Sequence, residues 1–232
     1  MEIIVNDVNI GYSENIVIED CNLKFSNSSL IGCIGPNGAG KSTFFKVISG
    51  ILPAYKGEIK VNGKLVNSTA DIVGHMSFFL DEQILISYIT AKQHLDMIVG
   101  INPILVEKYI DYFSFSYALN KKISTFSLGM KQIFLLIITL SMDSEIMLLD
   151  EILNGLDPKN KRLAIDLLEE KKQEKIIFLS SHQLIDLKEI SDEFLVFNEK
   201  KIRRINAHSI SIRDLEKKYL VLVITYEKST YF

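Results

Sequence analysis

Cysteine is scarce in this chain: 232 residues carry two, Cys21 and Cys33. Both sit in apolar runs that read as strands. The expectation is two buried thiols in a reducing compartment, not a disulfide-stapled scaffold. Long apolar runs are missing too. The most apolar stretch, residues 133–140, falls far short of the ~20 residues that span a bilayer. The first residues lack the basic head and long apolar centre of a signal peptide. These absences predict a soluble chain, connected to a membrane only through a partner. A basic surplus is also absent: the net charge is -3 and the isoelectric point about 5.9. That balance argues against nucleic acid as the main partner. No long block of like charge, repeat or low-complexity tract occurs. Residues 169–172 mix both signs and read as a solvated helix end. Lys200, Lys201, Arg203 and Arg204, the densest basic group, read as a solvated hairpin. His75, His94 and His208 share no metal-ligand spacing with cysteines or acids and read as structural or exposed.

What is present is globular. The chain is 47% hydrophobic and 24% charged, with a mean hydropathy of +0.18. That suits one large domain or two tightly joined lobes, with either a generous core or apolar surface covered by partners. Apolar runs and turn residues predict strands over 2–10, 16–25, 30–34, 76–80, 146–149, 176–179, 194–197 and 201–205. A turn and hairpin are expected over 55–63. Helical spacing follows Lys41 and recurs over 90–99, 103–113, 130–142, 159–171 and 184–190. Thr90 suits an N-cap and Pro103 a first helical turn. Residues 130–142 are apolar nearly all round, as in a buried helix. Alternating strands and helices imply an α/β core with a mainly parallel sheet. A helix-only block over 90–142 interrupts that core as a second lobe. The tail after Ile205 carries no reading.

Residues 35–43 read Gly35, Pro36, Asn37, Gly38, Ala39, Gly40, Lys41, Ser42, Thr43. This satisfies G-x-x-x-x-G-K-[ST], after a strand and at the start of a helix, the context the motif needs. The glycines let backbone N–H groups turn inward on phosphate oxygens, beside the positive end of a helix dipole. Lys41 supplies a point charge for the β and γ phosphates, and the Ser42 hydroxyl is a candidate Mg²⁺ ligand. The strand over 146–149 then delivers Asp150 and Glu151 to its C-terminal edge, where ligand sites of open α/β sheets lie. Asp150 is a candidate Mg²⁺ ligand. Glu151 is placed to polarise an attacking water as general base.

Between these motifs lies Phe126, Ser127, Leu128, Gly129, Met130, Lys131, Gln132. With the phosphate loop before it and the acidic pair after it, the chain resembles the ATP-binding cassette family. The usual signature is Leu-Ser-Gly-Gly-Gln; Ser127 and Gly129 match it, whereas Phe126, Leu128 and Met130 depart. This form is similar to the variant of bacterial antibiotic and lantibiotic exporter ATPases. Ser127 can cap the following helix, and Gly129 lets another backbone come close.

The resemblance implies a P-loop NTPase core with an N-terminal antiparallel β region and an inserted helical subdomain. It makes 1–232 one nucleotide-binding domain: core 1–89 and 143–205, signature lobe 90–142, tail 206–232. It implies that ATP and Mg²⁺ bind and that ATP is hydrolysed. Ser127, Leu128, Gly129, Met130 and Gln132 would address the γ-phosphate held by an opposite subunit. Asn154 to Pro158 resemble the loop that crosses the dimer interface. His182, after the strand over 176–179, matches the switch histidine. Tyr12 stands where the family stacks an aromatic on adenine. Asp81 falls where the family carries a glutamine that meets Mg²⁺ and the permease, with Gln83 the alternative if the register slips. Ile133, and Ile152 with Leu153, also depart from the usual residues.

The implied partners are a second cassette subunit, in the simplest case another copy of this chain, and an integral membrane permease. The chain would then be cytoplasmic, held peripherally at the cytoplasmic membrane. The implied function is to power an exporter of antibiotic or peptide type. The alternatives are a soluble cassette acting away from membranes and a weakly hydrolysing regulatory or immunity subunit.

Overall fold

The computed structural model describes residues 1–12, 15–79 and 84–230. Two sheets organise the fold. The first runs β2-β1-β4-β5, from β1 (Ile3–Tyr12), β2 (Asn15–Phe25), β4 (Lys56–Val61) and β5 (Lys64–Leu65), all antiparallel. Strict alternation fails in β1: Ile3, Val5, Val8 and Ile10 are all buried, with a spacing of three between Val5 and Val8. A register shift falls there, with Asp7 at φ 48°. Asn22 holds the distortion by bonding both the Asp7 N–H and the Asp7 carboxylate. Asp20 repeats the device in β2, at φ 48° with its N–H on Asn9. These bulges keep the apolar side chains facing inward while the strands twist.

The second sheet runs β10-β9-β3-β8-β7-β6. Its strands are β3 (Ser29–Ile34), β6 (Met76–Phe79), β7 (Ile146–Asp150), β8 (Ile176–Ser180), β9 (Glu193–Asn198) and β10 (Lys201–Asn206). All neighbours are parallel except the β9–β10 hairpin. The central strands are apolar on both faces, as expected of a parallel sheet covered on both sides. Ile146, Leu148, Ile176 and Phe178 join a cluster with α1 (Lys41–Ile48) and the first sheet. Met147, Leu149, Ile177 and Leu179 join the other, with α4 (Leu128–Ser141), α5 (Pro158–Lys171) and α6 (Leu184–Ile190).

Between β6 and β7 come α2 (Ala91–Asp96), α3 (Pro103–Tyr112) and α4 in succession. Thr90 and Gln93 form a capping box on α2, and Asn102 caps α3 with Pro103 at its first turn. The structure starts α4 two residues earlier than the hydrophobic spacing indicates, because Ser127 caps it by accepting from the Met130 N–H at 3.3 Å. Leu128 and Gly129 therefore lie in its first turn. Phe126 anchors this entry: its ring packs edge-on against Phe115 and Phe134, 5.7 and 5.9 Å away.

Of the surface readings, the one for residues 169–172 is corrected at Lys172. Lys172 is not solvated, since its ammonium reaches the Ile190 carbonyl and Asp192. The tail after Ile205, which carries no reading in the sequence, packs on the domain: α7 (Ile212–Thr230) begins where Ser211 accepts from the Asp214 N–H, and Leu215 is fully buried. The basic hairpin is exposed, as expected, and three of its side chains are paired: Lys200 with Glu19, Lys201 with Asp20, and Arg204 with Glu193. Cys21 and Cys33 are buried and free, as expected.

Candidate functional site

Residues 35–40 connect β3 to α1, and their glycines are demanded locally. Gly38 and Gly40 sit at φ 82° and 100°, in the left-handed region that side chains disfavour. A Cβ on Gly35 would lie 2.8 Å from the Phe197 carbonyl, and one on Gly40 2.8 Å from Val17. Gly40 caps α1 without any side-chain hydrogen bond, which leaves the first N–H groups of the helix to other partners. Lys41 is buried, and its ammonium donates to the Gly35 and Pro36 carbonyls at 2.7 and 3.2 Å. Ser42 is exposed and Thr43 half-buried. Burial drops the Lys41 ammonium below the usual lysine range, and the Glu151 and Asp150 carboxylates act against that shift. The loop and the acidic pair therefore share one electrostatic environment.

Asp150 ends β7 and is buried. Opposite it in register, Ser180 ends β8. The Ser180 hydroxyl donates to Asp150 Oδ1 at 2.5 Å and accepts from the Glu151 N–H at 2.9 Å. One hydroxyl thus fixes both acids. Glu151 has φ 55°, a conformation that costs a non-glycine residue roughly 1–2 kcal/mol. Its carbonyl accepts from the Asn154 N–H, and the Asn154 amide donates to Glu151 Oε2 at 2.6 Å. The other oxygen, Oε1, lies 3.2 Å from His182 Nε2. His182 Nδ1 lies 3.4 Å from the hydroxyl of Tyr219 on α7.

Lys41, Asp150, Glu151 and His182 are thus brought together. Leu128 and Gly129 are placed instead against the loop after β7, while Ser127 caps α4 and Met130 packs on the core. A Cβ on Gly129 would lie 2.8 Å from the Gly155 carbonyl, and Leu128 packs on Gly155, itself at φ 78°. Gln132 is buried in α4, its Oε1 without a hydrogen-bond partner. Tyr12 closes β1, but its side chain lies outside the described residues, as do Asp81 and Gln83.

Two contributors escaped the sequence reading. Ser180 becomes visible only through the β7–β8 register. Tyr219 had a local signal: Ser211 and Asp214 form a helix-start pattern, and Leu215, Tyr219 and Leu222 recur at helical spacing. The oxygen donors that could meet a metal here are the Ser42 hydroxyl and the Asp150 carboxylate. Among the described residues no group of three histidines, cysteines or acids could cage an ion. Such a donor set suits a hard cation that keeps water and phosphate oxygens in its shell.

Comparison with known proteins identifies the family and the fold. The family model described as ABC transporter matches residues 18–154, more than half the chain. ABC transporter A family member 1 of Dictyostelium discoideum is 30% identical over 199 residues, 82% of this chain but 23% of that protein. The ABC-type transporter ATP-binding protein EcsA of Bacillus subtilis (strain 168) is 29% identical over 214 residues, covering 86% of this chain and 84% of that one. A solved ATP binding subunit of an ABC transporter shares the fold, with a TM-score of 0.83 at 23% identity over 96% of this chain and 99% of that one. Motif order, sheet topology and family match agree: the chain belongs to the ABC transporter family, as an ATP-binding cassette ATPase domain.

Proposed function

We propose that this chain couples ATP hydrolysis to a separate membrane permease, in an exporter of antibiotic or peptide type. The observation that carries the reading is the cluster in which Asn154 and His182 hold the two oxygens of Glu151, beside Asp150 and Lys41. Backbone N–H groups of residues 35–43 and the Lys41 ammonium bind the phosphates, and Tyr12 stacks on adenine. Ser42 and Asp150 would hold Mg²⁺, with Asp81 a further candidate and Gln83 the alternative at that place. When bound, the ion would neutralise charge on the phosphate oxygens. Glu151 takes the proton of the attacking water, and His182 donates Nε2–H toward the reacting phosphate.

One chain carries one phosphate loop and one signature, so a complete site needs a second cassette, a second copy in the simplest case. Ser127, Leu128, Gly129, Met130 and Gln132 of one would face the nucleotide of the other. The core over 1–89 and 143–205 and the lobe over 90–142 then act as the two working parts. No described helix is long and apolar enough to cross a membrane. Tyr88, Met97, Val99 and Ile104 expose large apolar side chains on the 84–104 stretch, which supports a partner covering that surface at the cytoplasmic membrane.

Replacing Glu151 with Gln tests the chemistry. Turnover should fall by about a thousandfold, and the ATP-loaded protein should elute as a dimer. Wild-type turnover would make the base assignment wrong. Affinity purification from gently solubilised native membranes tests the coupling. A stoichiometric polytopic membrane protein is expected; a chain that is wholly soluble or bound to ribosomes would overturn the transport reading and leave nucleotide binding intact.

A further inference from the structure

The C-terminal helix reaches the reaction centre. Ser211 starts α7, Leu215 buries completely one turn on, and Tyr219 follows at the next turn of the same face. Leu222, at the next helical spacing, also packs on the core. Tyr219 is therefore a held side chain, and its hydroxyl lies 3.4 Å from His182 Nδ1.

The imidazole stands between this hydroxyl and the Glu151 carboxylate, 3.2 Å from Nε2. A carboxylate can only accept, so the nitrogen facing it must carry hydrogen. In a neutral imidazole Nδ1 is then the acceptor, and the group facing it is the phenol O–H. Burial, reinforced by the Glu151 charge, pushes the phenol above the usual tyrosine range, so the hydroxyl keeps its proton.

We propose that Tyr219 is a positioning residue for His182, donating its O–H to Nδ1 and so holding the ring in the Nε2–H tautomer aimed at Glu151. The inference rests on the role given to His182 above. With Nδ1 anchored, the ring keeps one orientation, and its Nε2–H stays at the reaction centre. Among the described residues, the Glu151 carboxylate alone would then be left to distinguish the two nitrogens without the phenol. The effect belongs to the hydroxyl, because the ring of Tyr219 packs on the core independently of it.

The test uses the full chain with ¹⁵N-labelled histidine, at a pH where the imidazole is neutral. The His182 signal is identified among the four histidines by its loss in His182→Ala. In Tyr219→Phe, which keeps the ring, the Nδ1–H tautomer should rise at the expense of Nε2–H. The kcat for ATP should fall about tenfold with KM unchanged, and adding Tyr219→Phe to His182→Ala should lower it no further. An unchanged tautomer and kcat in Tyr219→Phe, while His182→Ala is impaired, would overturn the inference and leave the His182 assignment standing. Wild-type kcat in His182→Ala would remove that assignment and the inference with it. A Tyr219→Phe protein that loses thermal stability and kcat without a tautomer change would make Tyr219 a packing residue only.

Discussion

Ser180 and Asp150 end neighbouring parallel strands in exact register, and the serine hydroxyl donates to the aspartate at 2.5 Å. Because the same oxygen accepts the Glu151 N–H, the position of the proposed base depends on a residue from another strand.

Replacing Ser180 with Ala should therefore injure both stability and turnover. It strips one partner from a buried carboxylate and one from a backbone N–H, a loss of about 1–3 kcal/mol. The urea midpoint should drop, and kcat should fall with it. A variant with wild-type stability and turnover would show that the hydroxyl bridges nothing of consequence.

Glu151 sets strain against chemistry. In Glu151→Gly the left-handed backbone is relieved of roughly 1–2 kcal/mol, offset by about 0.5–1 kcal/mol of added chain entropy in the unfolded state. The variant should melt no lower than wild type while losing turnover. Melting well below wild type would mean that the Asn154 and His182 contacts stabilise the fold more than the strain costs it.

Gly129 and Gly155 meet backbone to side-chain position, so Gly129→Ala should push the start of α4 away from the following loop. Overpacking of this kind costs about 1–3 kcal/mol. Calorimetry should show a lowered melting temperature, and ATP turnover should fall. An unchanged melting temperature would mean that the loop yields freely.

Burial raises the Cys21 thiol from 9.0 to about 12 and holds Cys33 well above the ordinary range. The unfolded chain sheds these protons first, so their contribution to stability is complete below about pH 9 and declines as the pH rises toward 12. Across that window wild type should lose about 1.4 kcal/mol per pH unit relative to Cys21→Ala. Parallel urea titrations of the two proteins between pH 8 and about pH 10.5 check this; identical slopes would contradict it.

The phosphate loop and the acidic pair were legible because each is contiguous and its context, strand before and helix or sheet edge after, is written in adjacent residues. The two-sided apolar strands were legible for the same reason. The bulges at Asp7 and Asp20 were not, since what stabilises them is Asn22 and Asn9 on the paired strand. Ser180 escaped because its meaning lies in register. Helix α7 escaped although Ser211 and Asp214 announce it, because its short apolar stripe follows a mixed, charged stretch. The start of α4 shifted because capping by Ser127, not hydrophobic spacing, decides where the helix begins.

In β7 and β8 the sheet sends alternate residues to opposite cores, so odd and even positions belong to different compartments of the same protein. Ile146, Leu148, Ile176 and Phe178 press on the side that carries α1; Met147, Leu149, Ile177 and Leu179 press on the side that carries α4. Truncations walked along either strand should therefore alternate in phenotype with a period of two, even positions weakening nucleotide affinity and odd ones loosening the signature helix. Two-period data from nucleotide titration and hydrogen exchange would show one strand serving as a divider between two separately tunable halves, and a uniform profile would show that the halves yield together.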